Sequence, residues 1–222
     1  MTSQTIMEHP AAVEAQLEAT STPKDQSLPS PIVTTPRLMI RPMRFEDGPS
    51  MSLHANDPLV TKYMASTFPN PYTLSSAETW IGMNMELPQQ QHFVICEVSS
   101  PDVVIGGIGL KLGADYSAHT AEVGYWIGRA YWGKGCMTEI LNAFTNWTFT
   151  SWDKNGQKLT RLWGYVMGGN VASMRCFEKC GYAPEGVWKG HCEKNGELMD
   201  LHYFGLTKLD WKKRTNEGFE NH

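Results

Sequence analysis

The feature that most constrains the fold of this chain is residues 125–139, where a strand-like run leads through two closely spaced glycines into a helical pattern. Gly133 and Gly135 permit backbone conformations and a close approach that side chains would obstruct. The first turn of the following helix leaves N–H groups unpaired, and the helix dipole adds partial positive charge there. The segment therefore predicts a binding site for a phosphate or pyrophosphate group, with a purely structural turn as the alternative.

Two common phosphate-binding motifs do not match this segment. The spacing from Gly128 to Gly133 and Lys134 approaches a P-loop, but Gly135 stands where a Ser or Thr would ligate Mg²⁺. A dinucleotide-binding motif needs a third glycine at the position of Thr138. The segment thus predicts neither a nucleotide hydrolase nor a dinucleotide-dependent enzyme.

Composition excludes several classes of protein. The 222 residues carry a formal net charge of −4, so there is no basic excess for binding nucleic acid. No apolar run is long enough for a transmembrane helix, and the N-terminus lacks the pattern of a secretory signal and the arginines of a mitochondrial presequence. An odd number of cysteines, five, favours a reduced protein. We expect a cytoplasmic protein with no nucleic-acid or membrane partner.

The order of apolar patterns predicts an α/β or α+β domain with a mixed sheet. We expect a flexible N-terminal extension over 1–34, the folded domain over 35–212 and a C-terminal tail over 213–222. Residues 45–47 are expected to cap a first helix, and Ser75 or Ser76 a second. Further helices are predicted at 138–152 and 171–180, and strands at 37–42, 92–98, 103–110, 121–127, 161–167, 186–192 and 198–206. A hairpin turn is expected at 99–102 and another at Asn195-Gly196.

The glycine segment resembles the acyl-CoA pyrophosphate loop of the GNAT superfamily of N-acetyltransferases. The matching window is Trp132-Gly133-Lys134-Gly135-Cys136-Met137. Its first and last residues, Trp and Met, depart from the usual Gln or Arg and Gly or Ala, and in this they resemble the branch of ribosomal-protein N-terminal (alanine/serine) acetyltransferases. Residues 35–42, 121–127 and 169–182 also resemble that branch, in the right order, so the resemblance covers roughly 35–210.

This resemblance implies a GNAT fold, with a mixed central sheet of about six to seven strands flanked by helices. It implies acetyl transfer from acetyl-CoA, a co-substrate, directly to a primary amine, without a metal. Asn170 is expected to bond to the pantetheine arm, to cap the next helix, or both. The expected cofactor-binding residues are Trp126, Ile127, Gly128, Trp132, Gly133, Lys134, Gly135, Cys136, Met137, Thr138, Asn170 and Ser173.

Acetyl transfer needs a base for the amine and a proton for the leaving thiolate. Two carboxylates are candidates for the base: Glu122 on the central strand, and Glu193 on the last hairpin, as the ribosomal-protein branch implies. A structural anchor is the alternative for Glu122, and an exposed turn residue for Glu193. Many family members place a Tyr acid at the position of Phe177, which has no proton to give. The ribosomal-protein branch places a Ser at the position of Ser173, so the resemblance implies Ser173 as the acid, with a role in solvating the helix N-terminus as the alternative.

The identity of the acceptor stays open at this stage. Both a small-molecule amine and a protein N-terminus fit the resemblance, and we expect a monomer or a homodimer. Trp80, Tyr116 and Trp188 are expected to line an acceptor pocket. A non-catalytic acyl-CoA-binding module of the same fold is the alternative function. Cys176 and Cys180 share a helix face, but their spacing to other ligands matches no standard zinc motif, so we expect no metal.

Overall fold

The computed structural model describes residues 27–220, and their backbone forms one open mixed sheet with helices on both faces. The strands are β1 (Val33–Thr34), β2 (Leu38–Arg41), β3 (His92–Glu97), β4 (Ser100–Leu112), β5 (Thr120–Ile127), β6 (Arg161–Met167), β7 (Ala183–Lys194) and β8 (Glu197–Thr207). The α-helices are α1 (Gly48–Ala55), α2 (Pro58–Thr61), α3 (Leu74–Met85), α4 (Cys136–Thr150), α5 (Val171–Lys179) and α6 (Lys208–Glu220). The order across the sheet is β1-β2-β3-β4-β5-β6-β8-β7.

The junction of β5 and β6 differs from every other strand pair of the described sheet, because it is parallel. Pairing there is confined to three residue pairs, which end at Glu122 opposite Trp163. Beyond that point the two strands separate toward their carboxyl ends. The separation leaves a wedge in the sheet, and residues 124–127 of β5 form one of its walls.

Each face of the sheet has its own apolar core. On the first face α4 buries Ile140, Leu141 and Phe144 completely, and α5 packs beside it. On the second face α1 and α3 cover the β2–β4 half. Over β6 and β8 this second face is lined by half-buried aromatic side chains. Because aromatic side chains rather than a helix line this part of the second face, the sheet is accessible at the wedge.

Helix α1 begins directly after Asp47, within the predicted capping segment, whereas α3 begins before the predicted caps Ser75 and Ser76. Asp47 does not cap α1 through its side chain, because its carboxylate accepts hydrogen bonds of 2.7 and 2.9 Å from the Arg41 guanidinium. Both side chains of this ion pair are fully buried. The prediction that Ser75 or Ser76 caps α3 is also wrong, because Thr73 Oγ1 accepts the bond from the Ser76 amide at 3.2 Å.

Two hairpins connect neighbouring strands. The turn at Asn195-Gly196 is confirmed, with both residues at positive φ, 55° and 81°. The turn between β3 and β4 is shorter than the predicted 99–102, because β4 already begins at Ser100. The sheet has eight strands, one more than the strands predicted individually, because β1 pairs with β2 through Val33 and Ile40.

The first strand and the last helix of the described residues can be compared with the predicted domain limits. β1 lies just before the predicted domain start at 35, and α6 runs past the predicted end at 212. The division into extension, domain and tail stays a prediction, and residues 1–26 and 221–222 lie outside the described part of the chain.

Candidate active site

A cavity of about 690 Å³ fills the wedge between β5 and β6, and we call it the wedge cavity. Its walls come from four segments that are distant in sequence: α2 with the loop after it, β5, the start of α4, and β6 with α5. This volume is in the range of small-molecule and cofactor sites. The sheet opening therefore provides a recess of suitable size beside many of the predicted site residues.

The glycine turn places backbone, not side chains, at the wall of this cavity. Gly133 and Gly135 have φ of 72° and 74°, in the left-handed region, and Gly135 is the N-cap residue of α4. A Cβ at Gly133 would meet nothing within 4 Å, so the surrounding space is open. Cys136, Met137 and Thr138 continue the wall into the first turn of α4. Unpaired amides at a helix N-terminus beside open space suit the pyrophosphate of CoA.

The glycine turn is fixed by Arg37, a residue for which the sequence predicted only a place in the opening strand. The Arg37 guanidinium donates to Glu139 at 2.8 Å and to the Lys134 carbonyl at 3.1 Å. Thr35 Oγ1 donates to the same carboxylate at 2.6 Å. Burial raises the pKa of Glu139, but the hydrogen bonds from Thr35 and Arg37 outweigh it and lower the pKa. The carboxylate thus stays charged and holds the turn against the start of the domain.

The predicted cofactor-binding residues Trp126, Ile127 and Gly128 differ in their position relative to the wedge cavity. Trp126 lines the wedge cavity, as does Ile127, although the Ile127 side chain is buried in the core. The Ile127 carbonyl accepts a hydrogen bond from Trp132 Nε1 at 2.9 Å. Gly128 does not line the cavity, and its amide donates to the Ile105 carbonyl at 2.8 Å. The backbone available for a pantetheine arm is therefore at Trp126 and the residues before it.

On the opposite wall, α5 brings a hydroxyl pair together. Asn170 caps α5, because its side chain accepts from the Ser173 amide at 3.3 Å. The Ser173 hydroxyl lies 2.9 Å from the hydroxyl of Tyr125. Burial raises the pKa of Tyr125, so its proton is retained. Phe177 is buried beside Tyr125, with ring centroids 5.5 Å apart, and it fills the space where a Tyr acid was considered.

Sequence reasoning missed Tyr125 as a functional candidate. By alternation it lies on the face opposite Glu122, which directed attention away from it. A signal was present, since Tyr125 is the hydroxyl-bearing residue of the strand nearest to the glycine turn. The divergence of β6 from β5, which lets the Tyr125 hydroxyl reach Ser173, is a tertiary feature that no local pattern encodes.

Glu122 lies at the closed end of the wedge. Its side chain is half-buried, and it stands opposite Lys111 on β4 and Trp163 on β6. Burial raises the pKa of this carboxyl, and the charge of Lys111 partly offsets that rise. A half-buried carboxylate with a raised pKa at the end of a cavity is suited to accept a proton.

The structure does not bring Glu193 to the same place. Glu193 is exposed near the end of β7 and does not line the wedge cavity. The next residue, Lys194, makes the link instead: its ammonium donates to the carbonyls of Thr61, at 2.7 Å, and of Met64. The hairpin tip is thereby attached to the α2 segment that forms part of the cavity wall.

The remaining predicted residues lie outside the wedge. Trp80 contacts His92, Tyr116 is 87% exposed, and Trp188 packs on Tyr203 with ring centroids 4.5 Å apart. Within residues 27–220 no three His, Cys, Asp or Glu side chains form a group that could hold a metal ion. Within the same residues no helix combines the length and the apolar character needed to cross a membrane.

Cys176 is part of the cavity wall, whereas Cys180 lies at the end of α5 and does not line the cavity. Cys176 lines the wedge cavity, and its sulfur accepts a long hydrogen bond of 3.8 Å from Thr138 Oγ1. Cys180 donates to the Thr138 carbonyl at 3.4 Å. All five cysteines of the chain are free thiols.

Comparison with known proteins identifies the family to which this fold belongs. The family described as acetyltransferase (GNAT) domain matches residues 37–183. An uncharacterized N-acetyltransferase, p20, of Bacillus licheniformis is 32% identical over 180 residues, which span 80% of this chain and 96% of p20. A solved GNAT-family acetyltransferase from Bacillus anthracis has a TM-score of 0.68 at 23% identity, covering 80% of this chain and 98% of that one. Ribosomal-protein-S5-alanine acetyltransferase from Vibrio fischeri has a TM-score of 0.65 at 20% identity, covering 80% and 97%.

The fold and the family match together define an acyl-transferring enzyme whose donor, throughout the family, is acetyl-CoA. More specifically, the chain belongs to the GNAT family of N-acetyltransferases. The predicted family, fold and enzyme class are confirmed.

Proposed function

We propose that this protein transfers the acetyl group of acetyl-CoA directly to a primary amine that enters the wedge cavity. The observation that carries the proposal is the opening between β5 and β6, which has the amides of the glycine turn on one side and the Glu122 carboxylate at its closed end. The pyrophosphate would be held by the turn at Gly133 and Gly135. The pantetheine arm would extend β5 at residues 124–126, between the separating strands.

The roles of the side chains follow from their positions. Acetyl-CoA supplies a thioester: the amine nitrogen bonds to its carbonyl carbon, the carbon–sulfur bond breaks, and the sulfur leaves as a thiolate. Before the attack, Glu122 takes one proton from the substrate ammonium, directly or through water, which leaves a neutral amine with a free electron pair. The nitrogen loses its second proton as the carbon–sulfur bond breaks, and that proton reaches the thiolate through the Ser173 hydroxyl, which Tyr125 holds at 2.9 Å.

Two classes of acceptor are compatible with this chemistry, a small-molecule amine and a protein N-terminus. The similarity to a structure named ribosomal-protein-S5-alanine acetyltransferase supports keeping the second class. The five free thiols support a reducing, cytoplasmic setting. Monomer and homodimer both stay open as predictions.

The test is release of free CoA thiol from acetyl-CoA in the presence of a panel of primary amines. Glu122→Gln should lower kcat by about 10²- to 10⁴-fold while CoA affinity by calorimetry is kept, because the change removes a base and not a binding contact. The matched variant Glu193→Gln should retain the rate.

The opposite pattern would assign the base to Glu193. Phe177 in place of a Tyr acid is the observation that favours the second candidate, a non-catalytic acyl-CoA-binding module. CoA binding without thiol release on any amine would establish that module and overturn the proposed activity.

A further inference from the structure

A second cavity, of about 470 Å³, adjoins the wedge on the second face of the sheet. We call it the aromatic cavity, because the rings of Trp163 on β6 and Tyr203 on β8 form its floor. The two rings lie nearly parallel, with an interplanar angle of 21° and centroids 6.2 Å apart. Tyr203 is held by two further rings, Tyr165 and Trp188, at 6.1 and 4.5 Å. The floor is therefore a supported platform of electron-rich faces.

Glu122 belongs to both cavities, and among the described residues no other side chain does. It is the strand partner of Trp163, so its carboxylate stands at the edge of the aromatic platform. No residue within 27–220 donates a hydrogen bond to it. A ligand bound on the platform with a polar group at Glu122 would thus face the wedge cavity.

The other charges of the aromatic cavity are largely balanced. Arg161 and Glu185 neutralise each other through two hydrogen bonds, one of 2.8 Å and one shorter. Lys111 stands opposite Glu122 with its side chain exposed. Glu122 is consequently the half-buried charge available to a ligand, and its sign selects a cation.

We propose that the aromatic cavity is the acceptor site and that the acceptor is a small primary amine carried on a flat aromatic body. This inference rests on the proposed acetyl transfer. The ammonium lies at Glu122 and near the ring faces, which attract cations at distances up to about 6 Å. The aromatic body stacks on Trp163 and Tyr203. The cavity volume is that of a small-molecule site, and the amine nitrogen is placed at the entrance to the wedge.

The experiment compares kcat/KM for 2-phenylethylamine, for hexylamine and for a short peptide that begins with Ala and contains no aromatic residue. We expect 2-phenylethylamine to be the best of the three. Trp163→Leu and Tyr203→Leu should each raise its KM by about five- to tenfold, the loss of one stacked ring. KM for acetyl-CoA should stay the same, and KM for hexylamine should change less.

Conservative and distant substitutions serve as controls. Trp163→Phe and Tyr203→Phe keep a ring in place and should retain most of the affinity for 2-phenylethylamine. If Trp163→Leu does not fold, Tyr203→Leu and the two Phe variants still test the inference. Trp80→Leu, in a different part of the molecule, should leave all three acceptors unaffected.

The outcomes separate this inference from the proposed function. Preference for the Ala peptide, with no response to Trp163→Leu or Tyr203→Leu, would overturn the aromatic acceptor and leave acetyl transfer intact. Equal use of hexylamine and 2-phenylethylamine would also overturn it. Absence of thiol release with every amine would overturn the transfer activity itself.

Discussion

Glu122 and Lys111 illustrate how a single residue pair can set the working range of a site. Burial raises the pKa of Glu122, whereas the facing ammonium of Lys111 lowers it. A base must be unprotonated to act, so the rate falls as pH drops through the pKa of that base. The exposed Lys111 thus has a predicted effect on the rate through the pKa of Glu122.

Lys111→Gln should move the acidic limb of the pH profile of kcat/KM to higher pH. The substitution removes the charge that lowers the pKa of Glu122, so the carboxyl becomes protonated at a higher pH than in the unmodified protein. The measurement uses the same amine for both proteins, which cancels the titration of the substrate. Lys154→Gln, on an exposed turn, is the control. A limb that stays in place or moves to lower pH would contradict Glu122 as the base.

At the scale of elements, the glycine turn and α4 act as one unit. Gly135 combines a left-handed φ of 74° with the N-cap position of α4, and the Arg37–Glu139 ion pair ties the turn to the residues before β2. The turn is therefore shaped from outside the segment that contains the glycines. A change at Gly135 affects both the backbone conformation and the charge that the amides meet.

Gly135→Glu should abolish CoA binding by calorimetry. A carboxylate at this position would occupy the space meant for the pyrophosphate and repel it, and the left-handed backbone adds strain on the order of 1–2 kcal/mol. Gly156→Glu is a matched control, because Gly156 also has a positive φ, 85°, with no atom within 4 Å of an added Cβ. Unchanged CoA affinity in Gly135→Glu, with Gly156→Glu also unchanged, would remove the pyrophosphate assignment from this turn.

Elements were predictable where a local pattern decides them. Strand β6 and the turn at Asn195-Gly196 follow directly from alternation and from residues that accept positive φ. The capping residue of α1 was predictable, but the engagement of the Asp47 side chain by Arg41 was not, because Arg41 belongs to a separate strand. The pairing of the Tyr125 and Ser173 hydroxyls depends on the separation of β5 from β6, and that separation is decided by pairing across the whole sheet.

At the scale of the whole molecule, the position of the edge strand β1 indicates where the folded domain begins. The Ile32 amide donates to the Ile40 carbonyl at 2.8 Å, and the side chains of Ile32 and Val33 pack against the main core. This segment precedes the predicted domain start at 35. Its removal should therefore affect the stability of the sheet.

A chain that starts at Thr35 should be less stable to urea than a chain that starts at Ser27. The shorter chain loses the partly buried Ile32 and Val33 side chains, a cost on the order of 2 kcal/mol in the free energy of unfolding. Equal urea midpoints and slopes for the two chains would show that β1 contributes nothing and that the domain begins at 35 as predicted.

The Lys194 link between the last hairpin and α2 has a consequence for the order of events during synthesis. It joins residues separated by 133 and 130 positions in the chain, Lys194 with Thr61 and with Met64. Contacts between such distant positions form late, because a long loop must close first. A nascent chain that has emerged only as far as α4 already contains the glycine turn but lacks β6, α5 and the hairpin. The recess between the parallel strands therefore comes into existence only when nearly the whole domain has left the ribosome.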